Sequence, residues 1–174
     1  MLKVRKKTVG LIVLQLLLIV FLIGNLSFIW INSSKDSVKS DKTSISIAEP
    51  LAKRTVKNYN KLPKPEQKKH VAKMNAKIRT FGHFAEFMAL GLLFFSLSAV
   101  LFDFKNSKFK RLFLMCLGIS LGMCLVCAVS DEIHQLFVKG RTFQISDIVV
   151  DITGSFCGCI LATVPVGIFK GKLI

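Results

Sequence analysis

Ionisable side chains stand inside or directly beside the most apolar stretches of this sequence. His83 and Glu86 interrupt one such stretch, and a second polar cluster begins at Asp131. A charged group at the centre of a bilayer costs at least about 2.5–3.5 kcal/mol, so membrane segments rarely carry one without a use. These residues are therefore the first candidates for a ligand-binding site at membrane level. The full set is Arg79, His83, Glu86, Asp131, Glu132, His134, Gln135, Arg141, Asp147 and Asp151.

The spacing of these residues predicts that they project from common helix faces. Residues three and four apart lie on the same side of an α-helix. Arg79, His83 and Glu86 have that spacing, and two later groups share it. We expect the three stripes to meet at one face of the membrane, the outer one. The later stripes are Asp131, His134 and Gln135, followed by Asp147 and Asp151.

Two kinds of chemistry fit these residue types. In a structural or ligand-binding interpretation, Arg79 and Arg141 neutralise Glu86, Asp131 or Asp151, and the histidines hydrogen-bond to carboxylates. In a catalytic interpretation, a histidine–carboxylate pair acts as a general base, and the arginines bind an anionic group such as a lipid phosphate. The candidate catalytic residues are His83, Glu86, Asp131 and His134.

Metal binding and the conduction of ions or protons are two further alternatives. Histidines and carboxylates are metal ligands, but the sequence has no HExxH or similar spacing. We therefore predict no metal ion and no cofactor.

Composition predicts an all-α membrane protein. The chain has 174 residues, is 52% hydrophobic and has a positive mean hydropathy, which excludes disorder and disfavours a soluble domain. Four stretches approach the ~20 residues that cross a bilayer. The first is too long for a signal peptide, so we interpret it as an uncleaved anchor with Trp30 at the interface. The stretches are Val9–Ile31, Phe81–Phe102, Leu112–Val129 and Ile148–Phe169.

The formal net charge of +15 is explained by membrane topology and by attraction to anionic lipids. Nucleic-acid binding is excluded because nearly all phenylalanines lie in apolar runs and not on a basic, solvated face. The cysteines include a Cys124-x-x-Cys127 pair, but all fall inside predicted helices, which indicates small packing residues. They are Cys116, Cys124, Cys127, Cys157 and Cys159.

We predict three parts along the chain. Residues 1–32 form the anchor, 33–65 an extended, extracytoplasmic polar linker, and 66–174 the main domain. The termini are predicted to be cytoplasmic, because the short segments that would then lie inside carry ten lysines and arginines. Those segments are Met1–Thr8, Asp103–Arg111 and Lys170–Ile174. The longer first loop, Asn32–Ile78, would then be external although it carries twelve.

Two connecting segments have their own patterns. Glu66–Arg79 is a basic amphipathic helix that either lies on the membrane or extends into solvent before the second crossing. Asp131–Asp147 is too polar to span and too apolar for a free loop, which favours a short re-entrant helix at the interface. In the last crossing, Gly154 and Gly158 permit close helix packing, either inside the bundle or in a homo-oligomer.

Three motifs of this chain resemble conserved blocks of the VanZ-like family. They are Lys73–Gly91 (KMNAKIRTFGHFAEFMALG), Asp131–Arg141 (DEIHQLFVKGR) and Asp147–Gly158 (DIVVDITGSFCG). The resemblance covers about Asn75–Phe169, and the ten polar residues named above correspond to the family's signature positions. The chain departs from the family pattern at Thr80, Phe87 and Lys139.

The resemblance implies a small multi-pass protein of the bacterial plasma membrane, in a family whose founding member is associated with teicoplanin resistance. Our leading hypothesis is an envelope factor that binds membrane lipids, with a cell-wall precursor lipid or a lipoglycopeptide as its anionic ligand. The first alternative is an intramembrane hydrolase or transferase that uses water on a lipid-linked phosphate. The second alternative is a small proton-coupled transporter.

Overall fold

A computed structural model describes residues 2–102 and 109–171, and gives side-chain environments for 9–102 and 111–167. The described chain is helical, which confirms the predicted all-α class. The basic segments used to predict topology lie almost entirely outside the residues whose side chains are described. The five helices are α1 (Leu2–Ser33), α2 (Ser37–Thr55), α3 (Lys64–Leu101), α4 (Phe109–Gln135) and α5 (Ile145–Gly171).

Four of these helices, α1, α3, α4 and α5, are long and apolar enough to cross a membrane. Helix α3 is central and packs against each of the others. Phe87 and Leu90 of α3 form a buried core with Ile29 of α1 and Cys124 of α4. Phe87, which stands where the family commonly has a tyrosine, therefore lies in an apolar environment that offers no use for a hydroxyl group.

The α3–α5 interface is unusually close because small residues form it. Gly91 lies against the backbone of Ser155, Gly154 against the carbonyl of Phe84, and Gly158 against the carbonyl of Met88. At none of these positions is there room for a Cβ atom. Small residues let helix backbones approach in this way in membranes. Gly154 and Gly158 thus pack inside the bundle, the first of the two alternatives that the sequence offered.

The prediction of an extended linker over 33–65 is wrong, because Ser37–Thr55 forms α2. The Asp36 carboxylate caps this helix by accepting a hydrogen bond of 2.7 Å from the Lys39 backbone N–H. The buried face consists of small residues that include Ala48 and Ala52. Pro50 lies on the exposed side, where a missing backbone donor disturbs no packed contact.

The predicted basic helix is present, but it is continuous with the second crossing inside α3. Its outer part runs alongside α2, and a short 3-10 turn at Tyr59–Lys61 connects the two. Val71, Met74 and Ile78 are partly buried in this arrangement. The face that we had assigned to lipid or solvent is therefore at least partly covered by another helix of the same chain.

The short re-entrant helix predicted within Asp131–Asp147 is also wrong in detail. The first residues of this segment, Asp131–Gln135, belong to the end of α4, and α5 begins at Ile145. Residues 136–140 form turns and residues 141–144 are irregular, with Gly140 at φ 76°. Glycine adopts this left-handed conformation without the strain that a Cβ atom adds, so it suits the turn at this position.

Candidate functional site

A polar cavity of about 190 Å³ lies where α1 ends, α2 begins and the apolar part of α3 starts. Asn32, Ser33 and Lys35 contribute from the end of α1 and the turn that follows it. Helix α2 contributes mainly serine and threonine. Four of the residues predicted from sequence also line this cavity: Arg79, His83, Glu86 and Arg141.

Arg141 reaches the cavity from the loop between α4 and α5. Its guanidinium donates a long hydrogen bond of 3.4 Å to the side-chain oxygen of Gln135, whose amide in turn donates to Asp131 at 2.9 Å. The Arg141 Nε is buried and has no hydrogen-bond partner within the described residues. Burial lowers the pKa of Arg141, and the nearby positive charge of Arg79 lowers it further.

The loop that carries Arg141 is held on two sides. The Glu132 carboxylate, which is fully buried, accepts a hydrogen bond of 2.7 Å from the backbone N–H of Gln144. On the other side, the backbone N–H of Ser37 donates to the carbonyl of Lys139 at 3.3 Å. Glu132 thus holds the loop at Gln144, and the start of α2 holds it at Lys139, so that Arg141 lies between two fixed points.

Arg79 has a partner that sequence analysis did not anticipate. Its guanidinium lies 3.5 Å from a carboxylate oxygen of Asp41 in α2, which also accepts a hydrogen bond of 3.1 Å from Asn75. In the structural interpretation Arg79 or Arg141 would neutralise Glu86, Asp131 or Asp151, but the ion-pair partner of Arg79 is Asp41. Those residues follow Arg79 in the motifs, whereas Asp41 comes from the segment that we had interpreted as a linker.

Glu86 is linked to the end of α1 through an amide. The Asn32 side chain donates a hydrogen bond of 2.6 Å to Glu86 Oε1 and accepts one of 2.8 Å from the Lys35 ammonium. No cation of the described residues lies within ion-pair distance of the Glu86 carboxylate. The Asn32 amide therefore lies between the Lys35 ammonium and the Glu86 carboxylate in this series of hydrogen bonds.

His83 connects the cavity to a buried carboxylate behind it. Its Nδ1 lies 3.4 Å from Asp151 Oδ1, and Asp151 has no exposed surface. Neither carboxylate oxygen of Asp151 has a hydrogen-bond partner in the described part of the chain. A histidine between a polar cavity and a buried carboxylate is the arrangement that the general-base hypothesis requires.

His134 and Asp147 are not among the residues that line the cavity. The His134 ring stacks on Trp30 with centroids 3.9 Å apart, and its Nε2 lies 3.1 Å from the Ser34 hydroxyl. His134 therefore joins α4 to α1, and it forms no ion pair with a carboxylate of the described residues. Asp147 lies in the first turn of α5, where a negative charge interacts favourably with the helix dipole.

Sequence reasoning missed Asn32, Lys35 and Asp41, because the motifs gave no information on the first 65 residues. Asp41 is one of few acidic residues in a strongly basic segment, and this was the available signal for its ion pair with Arg79. Among the residues that the structure describes, no group of three or more histidine, cysteine, aspartate or glutamate side chains is arranged to hold a metal ion.

These features define a multi-pass helical membrane protein with a polar cavity at one end of its bundle. The family model described as VanZ/LLP1 matches residues 13–169, and the chain therefore belongs to that family. The match confirms the resemblance seen in the three motifs and extends it to α2 and most of α1. No curated protein and no solved structure gives a significant match.

Proposed function

We propose that this protein is a factor of the bacterial cell envelope that binds a phosphate-bearing headgroup in the polar cavity. The ligand would be an anionic lipid-linked cell-wall precursor or a lipoglycopeptide, and its binding would lower susceptibility to glycopeptide antibiotics of the teicoplanin type. The family supports the membrane setting.

The observation that carries the proposal is the proximity of two arginines on one cavity. Arg79 and Arg141 come from distant parts of the chain, yet both line it. Burial lowers the pKa of Arg141, and the charge of Arg79 is near enough to lower it further. Asp41 pairs with Arg79, but no carboxylate of the described residues lies within ion-pair distance of Arg141. An anionic headgroup would offset the charge of Arg141, and guanidinium groups bind phosphate through paired hydrogen bonds.

The proposal places this cavity at the outer face of the plasma membrane, where precursors are used and antibiotics arrive. The support comes from the positive-inside rule. The short segments at the opposite end of the four crossings carry ten lysines and arginines, which favours a cytoplasmic location for them and for both termini. The longer segment Asn32–Ile78 on the cavity side carries twelve, so the labelling experiment described in the Discussion decides the orientation.

The test is a comparison of two single substitutions in the same loop. Arg141→Ala removes a guanidinium that lines the cavity, whereas Lys139→Ala removes an exposed positive charge two residues away. In a glycopeptide-susceptible bacterial host, the wild-type chain and Lys139→Ala should raise the inhibitory concentration of teicoplanin several-fold. Arg141→Ala should not. Equal resistance for both variants at equal membrane levels would contradict the proposal.

A second candidate function is hydrolysis of a lipid-linked phosphate, which the His83–Asp151 pair favours. Asp151 lies against Nδ1, so Nε2 is the nitrogen available to a water molecule. His83 would accept a proton from that water as its oxygen bonds to phosphorus. The bond from phosphorus to the leaving-group oxygen would break, and the leaving group would take up a proton.

Release of inorganic phosphate from a lipid diphosphate by the purified protein tests this candidate. His83→Gln should abolish release and leave binding of the lipid within about twofold, because the arginines are unchanged. His70→Gln, in the outer half of α3, is the matched control and should keep full turnover. Equal rates for wild type and His83→Gln would exclude a catalytic role for this histidine.

A further inference from the structure

The cavity offers charges of both signs, and neither sign is fully neutralised by the protein. Arg141 and Glu86 both line it. Among the described residues, neither forms an ion pair within 4 Å. Among the described residues, the side chain of Arg141 hydrogen-bonds to the neutral Gln135, and that of Glu86 to the neutral Asn32. Partly buried charges of this kind are unfavourable without an opposite charge.

We infer that the headgroup bound in this cavity carries an ammonium group as well as a phosphate, with Glu86 as the acceptor for the ammonium. This inference rests on the proposed function, in which Arg79 and Arg141 bind the phosphate. A ligand with a phosphate alone would offset the arginines but would bring a negative charge close to Glu86. A ligand with both groups would neutralise the arginines with its phosphate and Glu86 with its ammonium.

The local geometry of Glu86 supports this role. Asn32 hydrogen-bonds to Oε1 at 2.6 Å, which fixes the carboxylate in place. Oε2 has no hydrogen-bond partner in the described part of the chain, and it is not among the fully buried atoms without one. The second oxygen therefore remains accessible to a donor from a ligand. A primary ammonium group supplies up to three such donors.

His83 and Lys35 do not provide that donor in the protein itself. His83 lies one turn before Glu86, but its Nδ1 is directed to Asp151 on α5. The Lys35 ammonium is bonded to Asn32, on the far side of the amide from Glu86. The chemical class that fits the cavity is thus an amino-phosphate headgroup such as a primary amine linked to a phosphodiester.

The experiment measures binding of two short-chain lipids to the full-length protein in detergent by native mass spectrometry. Dioctanoyl phosphatidylethanolamine carries a phosphate and a primary ammonium, whereas dioctanoyl phosphatidylglycerol carries the phosphate alone. A charged hydrogen bond in a partly buried site corresponds to about a tenfold change in affinity. We therefore expect the wild-type protein to prefer the ethanolamine lipid about tenfold.

Three variants separate this inference from the proposed function. Glu86→Gln should remove the preference and leave binding of the glycerol lipid unchanged or tighter. Glu66→Gln, an exposed carboxylate at the start of the same helix, should behave as wild type. Arg141→Gln should weaken both lipids.

The results distinguish failure of this inference from failure of the proposed function. Equal affinity of the wild-type protein for the two lipids, with both weakened in Arg141→Gln, would overturn the inference and leave the phosphate site standing. Unchanged binding of both lipids in Arg141→Gln would overturn the proposed function itself.

Discussion

The Asn32 side chain at the end of α1 donates a hydrogen bond of 2.6 Å to Glu86, a residue of the first family motif in α3. This contact joins the N-terminal helix to the cavity, although the motifs gave no reason to include that helix. A single amide thus connects the anchor, the turn after it through Lys35, and the polar stripe of the central helix. The contact makes α1 part of the site as well as a membrane anchor.

The first prediction concerns this hydrogen bond. Asn32→Ala removes the described donor to a partly buried carboxylate, which should lower the free energy of unfolding by about 1–3 kcal/mol. The measurement is thermal unfolding in detergent, followed by helical circular dichroism. In the background of Glu86→Gln the same substitution should cost less, because a neutral amide is easier to leave unpaired. An identical cost in both backgrounds would show that Asn32 does not act through Glu86.

The second prediction concerns the turn that presents Arg141. Gly140 has φ 76°, and a Cβ atom there would meet the Ser37 side chain. Gly140→Ala should therefore destabilise the loop by about 1–3 kcal/mol and weaken binding at the cavity. Combining it with Ser37→Gly should relieve the steric conflict but not the backbone strain, so recovery should be partial. Full recovery in the double variant would show that the backbone conformation costs nothing.

The third prediction concerns membrane topology. Ser46 is exposed on α2, and our proposal places that helix outside the cell. Ser46→Cys should react with a membrane-impermeant maleimide in intact cells. Ser107→Cys, between α3 and α4 in the sequence, should react only after the membrane is permeabilised. The wild-type chain is the blank, because its five cysteines lie within α4 and α5. The opposite labelling pattern would place the cavity in the cytoplasm.

The hydrophobic pattern was sufficient to predict the four crossings, and motif spacing was sufficient to predict that Arg79, His83 and Glu86 share one face of a helix. Spacing did not place Arg141, which lies in the loop between α4 and α5. Long apolar stretches have one stable solution in a membrane, so they are easily identified. Residues three and four apart must share a helix face once the helix is accepted. These parts of the structure follow from local rules alone.

Helix α2 could not be predicted in the same way. Its buried positions are occupied by Ser44, Ala48 and Ala52, which give little hydrophobic signal, and Pro50 suggests a helix break. The helix is stabilised by packing on α3 and by Asp41, which pairs with Arg79. Such contacts depend on tertiary structure. Because the partner of Arg79 comes from this helix, the ion pair between Arg79 and Asp41 could not be predicted from the local sequence either.

The last prediction concerns the close packing of α3 and α5. A Cβ atom at Gly158 would overlap the carbonyl of Met88 and the backbone nitrogen of Leu92, both of them backbone atoms that cannot move without moving the helix. Gly158→Ala should therefore separate the helices and lower stability by about 1–3 kcal/mol, measured as a lower melting temperature in detergent.

Gly118→Ala is the matched control, because nothing lies within 4 Å of the Cβ position at Gly118 in α4. It should leave the melting temperature unchanged or raise it slightly, since alanine favours the helix. The alternative use of Gly158, contact between two copies of the chain, makes a different prediction. In that case Gly158→Ala would convert an oligomer to a monomer in size-exclusion chromatography, at low protein concentration, without changing the unfolding of the monomer. That outcome would contradict internal packing, because the same glycine cannot lie against Met88 and also form the interface with a second copy.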